Sequence, residues 1–419
     1  MPPDPRCSPR FAPAIMNILF TNNSLSRAAG TEIAVLDLCV EMRRRGHRVA
    51  ACSTLQGEVA RRIEGHGIPV TSNPADLPWI PDVIHGHHEW DTTLAALAWP
   101  RTPVISFCRG EQAWQEAPAL CPNVVRWVAV DLPCRQRLMQ TDGIPADKIL
   151  TICNGVDTGR FRPRGTLPDK PGRALVFSNY ASETTFLPAV REGCLRAGIR
   201  CDVLGAASGR STDFPERELP GYDLVFAKGR AALEALASGC AVIVCDFKGL
   251  GPMVDPENFP TLRAQSFGFP CMTREITADA VAEALSRWNA EAAAEVSATA
   301  RRECTVSAMF DRLENLYTEC AAIQPDAASP DWCAAITRFL AGKSTAYKAG
   351  REIIDYYAAE KELPPEDASD SARILHDRIL DAYRKGQLAR KPTSDSDLAR
   401  CKRKSRSSSL LRYLFHRKP

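Results

Sequence analysis

The chain has 419 residues, enough for two or three domains. Hydrophobic residues make up 45% of it and charged residues 25%, which is ordinary for a globular protein, and its net charge of +3 does not select a class of partner. No run of 18 or more apolar residues is present, so no transmembrane helix is expected.

The first half of the chain alternates strand-like and helical segments. Residues 1–15 are rich in proline, do not fit a signal peptide, and are interpreted as a disordered tail or an over-extended start. From Asn17 the strand-like segments are NILFTNN, HRVAACS, IPVTS, PDVIHGHH, TPVISFCRG, VRWVAV and KILTICNGV. Helical patterns such as IAVLDLCVEMRRRG separate several of them. This alternation favours a parallel sheet covered on both faces, and it assigns residues 16–160 to an N-terminal Rossmann-like domain.

A stretch rich in Gly, Pro and Arg, residues 154–172, predicts a linker between domains. The alternation then restarts with RALVFSN, RCDVLG, YDLVFA and AVIVCDF as strands, and the chain turns helical from about residue 277. Residues 161–324 are therefore predicted to form a second, smaller Rossmann-like domain. The predicted fold class is α/β, with two doubly wound domains facing across a cleft.

The C-terminal part predicts an extension rather than a third domain. Residues 325–384 are predicted to be a polar, helical extension, and residues 385–419 a basic, serine-rich mobile tail. The last twenty residues hold eight Lys or Arg and no Asp or Glu, beside the apolar LLRYLF. Such a tail suits an anionic membrane surface, and a solvated tail without a partner is the alternative. Nucleic acid is not expected, because no recognisable binding module is present.

Sixteen cysteines are scattered through the chain, many of them inside apolar runs. They form neither a CxxC pair nor a Cys/His cluster at zinc spacing. We therefore expect reduced, buried cysteines in a cytoplasmic protein, with attachment to the inner face of the membrane as a further option. No metal and no cofactor are predicted.

Two stretches of the first half are candidates for ligand contact, because doubly wound sheets bind ligands beyond the carboxyl ends of their strands. In SRAAGTE, Gly30 and Thr31 open a helix whose N–H groups suit an anionic or polar ligand, although a tight turn explains the glycine equally well. In PDVIHGHHEWD, strand alternation places His85 and His87 on one side and His88 on the other. A neutral imidazole that hydrogen-bonds a substrate or a backbone carbonyl is favoured there over a zinc ligand, and at least one of the three is expected to be structural.

A third stretch, YDLVFAKGRAALEALASGCAVIVCD, places Lys228 and Arg230 on either side of Gly229 at the start of a helix. Cations at this end oppose the helix dipole, and a bound diphosphate would reverse that cost. Glu234 lies four residues after Arg230, so an ordinary surface ion pair is one explanation. A carboxylate that accepts both hydroxyls of a ribose is the other.

Together with the linker, these stretches resemble the retaining GT-B glycosyltransferases, the large family that includes bacterial mannosyl- and glucosyltransferases of lipopolysaccharide and capsule assembly. The resemblance spans residues 17–322. It implies a nucleotide-diphosphate sugar held mainly by the second domain, an acceptor held mainly by the first, and no metal. The matching pieces are MNILFTNN, AGTE, LDLCVEMRRRGHRV, DVIHGHH, KILTICNGVDTGRFRP, KGRAALEALASGCAVIVCD and SAMFDRLENLY.

The resemblance also assigns roles to individual residues. His87 matches the second His of a His-x-His that lies by the reacting sugar. Glu234 matches the glutamate that binds the donor ribose, and Gly30 matches the glycine turn beside the donor phosphates.

The sequence departs from the family pattern in the donor site. Phe226 replaces the earlier of two glutamates eight positions apart, and FSNYASETT lacks the Arg and Lys that usually clamp the diphosphate. Arg109 stands where the family often has a histidine before glycine. Lys228 and Arg230, with Arg109, are therefore predicted as a relocated clamp.

The sequence thus predicts a metal-independent hexosyltransferase that moves a hexose from a nucleotide-diphosphate sugar to a glycan or lipid-linked acceptor with retention. His87 and Arg109 are the predicted catalytic residues. Two alternatives stay open. One is a GT-B scaffold without chemistry, in which Phe226 plugs the sugar site. The other is a nucleotide-sugar epimerase, which needs acid–base carboxylates in the crevice.

Overall fold

The computed structural model describes residues 15–27, 30–111, 114–212 and 214–341. The chain divides into two compact units, Met1–Ser329 and Pro330–Pro419. Only residues 330–341 of the second unit are described, and residues 331–341 are helical. The rest of the predicted helical extension, the basic tail at 385–419 and nearly all of the N-terminal tail lie outside the described residues.

The first domain is built on a seven-stranded parallel sheet. Its strands are β1 Asn17–Thr21, β2 Arg48–Cys52, β3 Val70–Thr71, β4 Val83–His87, β5 Val104–Cys108, β6 Val124–Ala129 and β7 Ile149–Thr151. They run in the order β3-β2-β1-β4-β5-β6-β7. The direction of winding reverses between β1 and β4, which pair with Phe20 opposite His85. A crevice for ligands is expected at the carboxyl ends of the strands at such a switch point.

Helices cover both faces of this sheet, so every residue of β4 and β5 is buried and the strands read as nearly continuous apolar runs. The four helices are α1 Gly30–Arg44, α2 Glu58–Gly65, α3 Glu89–Ala98 and α4 Leu132–Met139.

The second domain is built on a five-stranded sheet. Its strands are β8 Arg173–Phe177, β9 Arg200–Leu204, β10 Leu224–Ala227, β11 Ala241–Asp246 and β12 Gly249–Met253. They run in the order β12-β11-β10-β8-β9, with β12 antiparallel to β11 and the other strands parallel. A separate hydrophobic core lies on each face. The helices that follow are α5 Leu187–Arg196, α6 Pro215–Glu218, α7 Gly229–Ala237, α8 Phe259–Ala264, α9 Ala278–Leu285, α10 Ala290–Glu303 and α11 Val306–Ala321. The predicted α/β class with two Rossmann-like domains is confirmed.

Helix α11 returns to the first domain. Its apolar side chains Phe310, Leu313 and Tyr317 belong to the core formed by the first sheet and α1. Glu314 of the same helix accepts a hydrogen bond from Arg45 at 2.6 Å and pairs with His47 at 3.0 Å. The predicted second domain, residues 161–324, therefore includes a helix that completes the core of the first.

Two further features bear on the sequence-based expectations. The described cysteines are unpaired thiols, and most of them are buried, as the sequence predicts. Within the described ranges, no helix is both long enough and apolar enough to cross a membrane.

Candidate functional site

A cavity of about 660 Å³ is lined by residues of both domains. It gathers side chains from α1, α2, the ends of β5 and β7, the linker, α7 and α11. Five of the predicted site residues line it, namely Gly30, Thr31, Arg109, Arg230 and Glu234. His87, Lys228 and Gly229 are not among its lining residues.

Gly30 and Thr31 form the first turn of α1 at the cavity wall. A Cβ built on Gly30 meets no other atom within 4 Å, and the backbone there is not left-handed. The protein's own packing therefore does not require glycine at this position. A side chain at position 30 would extend into the open space that a ligand could use.

Glu234 lies in α7 and is only 8% exposed. Its Oε1 accepts a hydrogen bond from Arg230 Nε at 2.8 Å, so the i,i+4 ion pair considered from the sequence does form. It lines the cavity rather than an outer surface. Burial raises the pKa of the Glu234 carboxyl above its ordinary 4.5, although Arg230 opposes the shift.

Arg230 connects the two domains. Besides Glu234, its guanidinium lies 3.6 Å from the carboxylate of Asp37 on α1. Burial raises the pKa of Asp37, and the charge of Arg230 lowers it in part. The guanidinium thus lies where α1 and α7 approach each other, which is the position required of a cation that holds an anionic ligand between two domains.

Lys228 takes a different direction from Arg230. Its ammonium pairs with the buried carboxylate of Asp246 at 3.2 Å and lies over the rings of Tyr180 and Phe269. Gly229 begins α7 with a left-handed φ of 59°, which favours glycine, and its N–H donates to the carbonyl of Phe267. Both residues thus meet partners within the second domain, and neither lines the cavity.

Arg109 follows β5 and lines the cavity. Its Nη2 donates to Oδ1 of Asn154 in the linker at 2.7 Å, and its backbone N–H donates to Glu116 at 2.8 Å. Burial lowers the pKa of the Arg109 guanidinium, which marks a cation held out of water.

The cavity also contains two arginines that the sequence analysis did not single out, Arg62 of α2 and Arg160 of the linker. Arg160 belongs to the motif NGVDTGRFRP, so the linker signature was a signal that its side chain could reach a ligand. Arg62 lies in an ordinary amphipathic helix, where no local pattern distinguishes it from a surface residue. With Arg109 and Arg230, four guanidinium groups line the cavity.

His85 and His87, both in β4, form a buried hydrogen-bonded chain with Tyr317. Of the pair on one side of the strand, His85 lines the cavity and stacks on Phe107 at 3.7 Å. Its Nε2 lies 2.9 Å from Nε2 of His87, and its Nδ1 lies 2.5 Å from the hydroxyl of Tyr317. Burial lowers the pKa of both imidazoles, so both rings are neutral.

A neutral imidazole carries one proton, so one of its ring nitrogens donates a hydrogen bond and the other accepts one. If Tyr317 donates to His85 Nδ1, then His85 donates from Nε2 to His87, and only the Nδ1–H of His87 is left over. The reverse direction would leave both the Tyr317 O–H and His87 Nδ1 without partners. Buried polar groups are normally satisfied, which favours the first arrangement. His87 Nδ1 is then a buried donor with no partner among the described residues.

Four carboxylates line the cavity, and each is engaged. Asp37 and Glu234 share Arg230, Glu41 accepts from Arg44 and Arg45, and Asp157 accepts two backbone N–H groups of its own turn. Among the side chains that the structure describes, no group of three His, Cys, Asp or Glu is arranged to hold a metal ion.

Phe226 does not plug the cavity. It lies in β10, is fully buried, and packs in one of the two cores of the second domain. The scaffold alternative placed this ring in the sugar site. That placement is wrong, because β10 continues through position 226 and turns the side chain into the core.

Comparison with known proteins agrees with this architecture. Residues 28–160, which lie in the first domain, match the family described as Glycosyltransferase Family 4. No curated protein matches the sequence.

Among solved structures, a glycosyltransferase from Rickettsia africae is 15% identical, with a TM-score of 0.54 over 74% of this chain and 99% of its own. The Anabaena protein HepE, solved with UDP and glucose, is 15% identical, with a TM-score of 0.52 over 72% of this chain and 99% of its own. At this identity the likeness establishes the fold alone. The protein has the two-domain GT-B fold of these glycosyltransferases, and its first domain carries a Glycosyltransferase Family 4 match.

Proposed function

We propose that the protein is a hexosyltransferase that uses a nucleotide-diphosphate sugar and transfers the hexose to a glycan or lipid-linked acceptor with retention and without a metal. The observation that carries the proposal is the meeting of Gly30, Arg109, Arg230 and Glu234, from both domains, around one cavity. HepE, which has this fold, was solved with UDP and glucose, and that supports the donor class.

In this proposal the nucleotide part of the donor lies along α7. Glu234 accepts the two ribose hydroxyls, and its buried carboxylate makes such bonds stronger than they would be in water. Arg230 then faces the diphosphate, together with Arg109 from the other domain. The backbone at Gly30 and Thr31 lies close to the same phosphates, with no side chain at position 30 in the way.

Lys228 is not part of the clamp in this proposal. Its charge is already balanced by Asp246, and the arginines that line the cavity take its place. His87 keeps its proposed place by the reacting sugar although it does not line the cavity, because its Nδ1 has no partner among the described residues and its Nε2 contacts His85, which does line the cavity.

The chemistry requires stabilisation of a leaving diphosphate. The bond between the anomeric carbon and the phosphate oxygen breaks, and the diphosphate keeps the electron pair. Guanidinium groups aimed at that developing charge lower the barrier. The acceptor hydroxyl attacks from the face that the diphosphate leaves, and its proton passes to the departing phosphate oxygen.

A thermal-shift panel of UDP-, GDP-, ADP- and dTDP-sugars tests the proposal. One nucleotide should raise the melting temperature by mass action, and Glu234→Ala should lose most of that increase. Glu192→Ala is a matched control, because Glu192 forms an i,i+4 pair with Arg196 on an exposed helix surface.

No shift with any nucleotide would reject the proposal. Once a donor is identified, the anomeric configuration of the product, read by NMR, tests retention, and activity after chelator treatment tests independence from metal.

A further inference from the structure

Arg109 is a cation held largely out of water without a carboxylate bound to it. It follows β5 and lines the cavity between the two domains, where burial lowers the pKa of its guanidinium. Among the described residues the guanidinium forms no ion pair, and its one hydrogen bond goes from Nη2 to Oδ1 of Asn154 at 2.7 Å. A charge withdrawn from water is costly unless it is paired. A cation kept in this state at a cavity wall is suited to meet an anion that enters the cavity.

Two carboxylates act on Arg109 through space, but both are engaged elsewhere. The charges of Glu116 and Asp131 raise the pKa of Arg109. Glu116 accepts the backbone N–H of Arg109 at 2.8 Å and lies 3.4 Å from His88, and Asp131 caps the N-terminus of α4. The charge of Arg230 acts in the opposite direction and lowers the pKa of Arg109. Two guanidinium groups from different domains thus repel each other at one cavity, and an anion between them would relieve the repulsion.

The amide of Asn154 can orient the guanidinium without cancelling its charge. A guanidinium has only N–H donors, so the amide oxygen must be the atom that faces it. A carboxylate at the same place would form a charge-assisted pair with Arg109 and compete with an anionic ligand. The neutral side chain therefore leaves the positive charge for the cavity, which Asn154 itself lines.

The backbone of Asn154 is held by α8 and by the start of α11. Its carbonyl accepts a hydrogen bond from Nη2 of Arg263 on α8. At the next residue, a Cβ on Gly155 would lie 2.6 Å from Cα of Val306, so the linker packs directly against α11. The carbonyl of Val156 then accepts the N–H of Val306 at 2.9 Å. The amide is therefore presented from a backbone that has contacts on both sides.

We infer that Asn154 is a positioning residue of the proposed donor site, which directs the Arg109 guanidinium into the cavity and leaves its charge available for the diphosphate. The neutral hydrogen-bond partner and the fixed backbone carry the inference. It rests on the proposed function, because the diphosphate of the donor is the anion that Arg109 would meet.

The test is calorimetric titration of the whole chain with UDP, GDP, ADP and dTDP. One diphosphate should bind wild type. Asn154→Asp keeps the shape of the side chain but gives Arg109 a carboxylate partner, so it should weaken that binding at least about tenfold. Its melting temperature should stay the same or rise, because a cation held out of water gains an ion pair. Loss of a merely structural side chain would not lower affinity while stability is kept.

A double-mutant cycle shows whether Asn154 acts through Arg109. Asn154→Ala should weaken diphosphate binding about tenfold in the wild type, whereas in Arg109→Met the same substitution should change affinity less than about twofold. Arg312→Met is the control for the linker, because Arg312 donates to the carbonyl of Thr151 at 3.0 Å but does not line the donor cavity. It should bind the diphosphate as wild type does.

The outcomes separate this inference from the proposed function. If one diphosphate binds wild type and binds Asn154→Asp equally tightly, the inference alone is wrong. The same holds if Asn154→Ala weakens binding by the same factor with and without the Arg109 guanidinium. If no diphosphate binds wild type, the proposed function fails and the inference falls with it.

Discussion

Glu234 combines burial, an ion pair and a cavity position in one side chain. Its carboxyl has a pKa raised above 4.5 by burial. An ionised carboxylate accepts two ribose hydroxyls, whereas a protonated one has lost part of that capacity. Affinity for a nucleotide sugar should therefore fall as the pH falls through the raised pKa, and the loss should begin above pH 4.5.

Glu234→Gln provides the comparison. It should bind the nucleotide sugar about tenfold more weakly at pH 7.5 and show a flatter profile towards acid, because no carboxyl at this position can titrate. Calorimetric titration between pH 5 and pH 7.5 measures both profiles, with circular dichroism to confirm that each protein stays folded. Parallel profiles for the two proteins would show that this carboxyl does not hold the ligand.

Gly30 distinguishes a ligand site from a simple turn. Gly30→Ala should leave the melting temperature unchanged, because the added Cβ meets nothing within 4 Å. It should weaken nucleotide-sugar binding about tenfold, because the methyl group occupies the cavity.

A second glycine gives the contrast. In Gly86→Ala the added Cβ would lie 2.3 Å from Cγ2 of Thr92, so the protein should be destabilised. Differential scanning fluorimetry measures the melting temperature of both variants, and calorimetric titration measures their affinity for the nucleotide sugar. If Gly30→Ala binds as tightly as wild type, the glycine serves only the turn.

For single residues, the sequence indicated which residue types belong to the site, but it did not indicate where their side chains point. Lys228 and Arg230 flank the same glycine, and both were expected to clamp a phosphate. The structure separates them, because Asp246 at the end of a neighbouring strand draws Lys228 away. A contact between residues that far apart in the chain follows from the sheet order, which local pattern does not contain.

Among the helices and strands, the position of α11 matters most for the histidines at the site. It places Tyr317 against His85, and so sets the proton arrangement of His85 and His87 in β4. Tyr317→Phe should remove the hydrogen bond to a buried ring nitrogen and cost about 1–3 kcal/mol of stability.

Chemical denaturation of Tyr317→Phe measures this cost. Tyr180→Phe is the control, since that hydroxyl belongs to a side chain that is 46% exposed, and its loss should change stability little. Equal stability of Tyr317→Phe and wild type would mean that the hydroxyl does not support His85.

The strands were predictable and the docking of α11 was not. A strand covered on both faces has a short apolar run as its sequence, and the runs that predicted β4, β5 and β11 are buried along their whole length. The periodicity of α11 predicts a helix with one apolar face, but it does not say which core that face covers. Phe310 and Leu313 contact the core of the first domain because the fold of the second domain places the start of α11 next to it.

For the whole molecule, the central feature is a cavity that neither domain forms alone. The first domain brings Gly30 and Arg109, and the second brings Arg230 and Glu234. The family resemblance predicted Gly30 and Glu234, whereas Arg109 and Arg230 were predicted because the sequence departs from the family pattern. The contribution of Arg62 needed the assembled structure, whereas the place of Arg160 in the linker motif was a signal in the sequence.

The most direct test is calorimetric titration of the whole chain with UDP, GDP, ADP and dTDP, repeated on Arg230→Met and on Arg191→Met. Arg191 of α5 forms an exposed ion pair with Glu183, which precedes the helix, and serves as the matched control. One diphosphate should bind wild type and Arg191→Met alike, and Arg230→Met should bind it at least about tenfold more weakly. If no diphosphate binds wild type, or if Arg230→Met binds as tightly as wild type, the cavity between the two domains is not a nucleotide site.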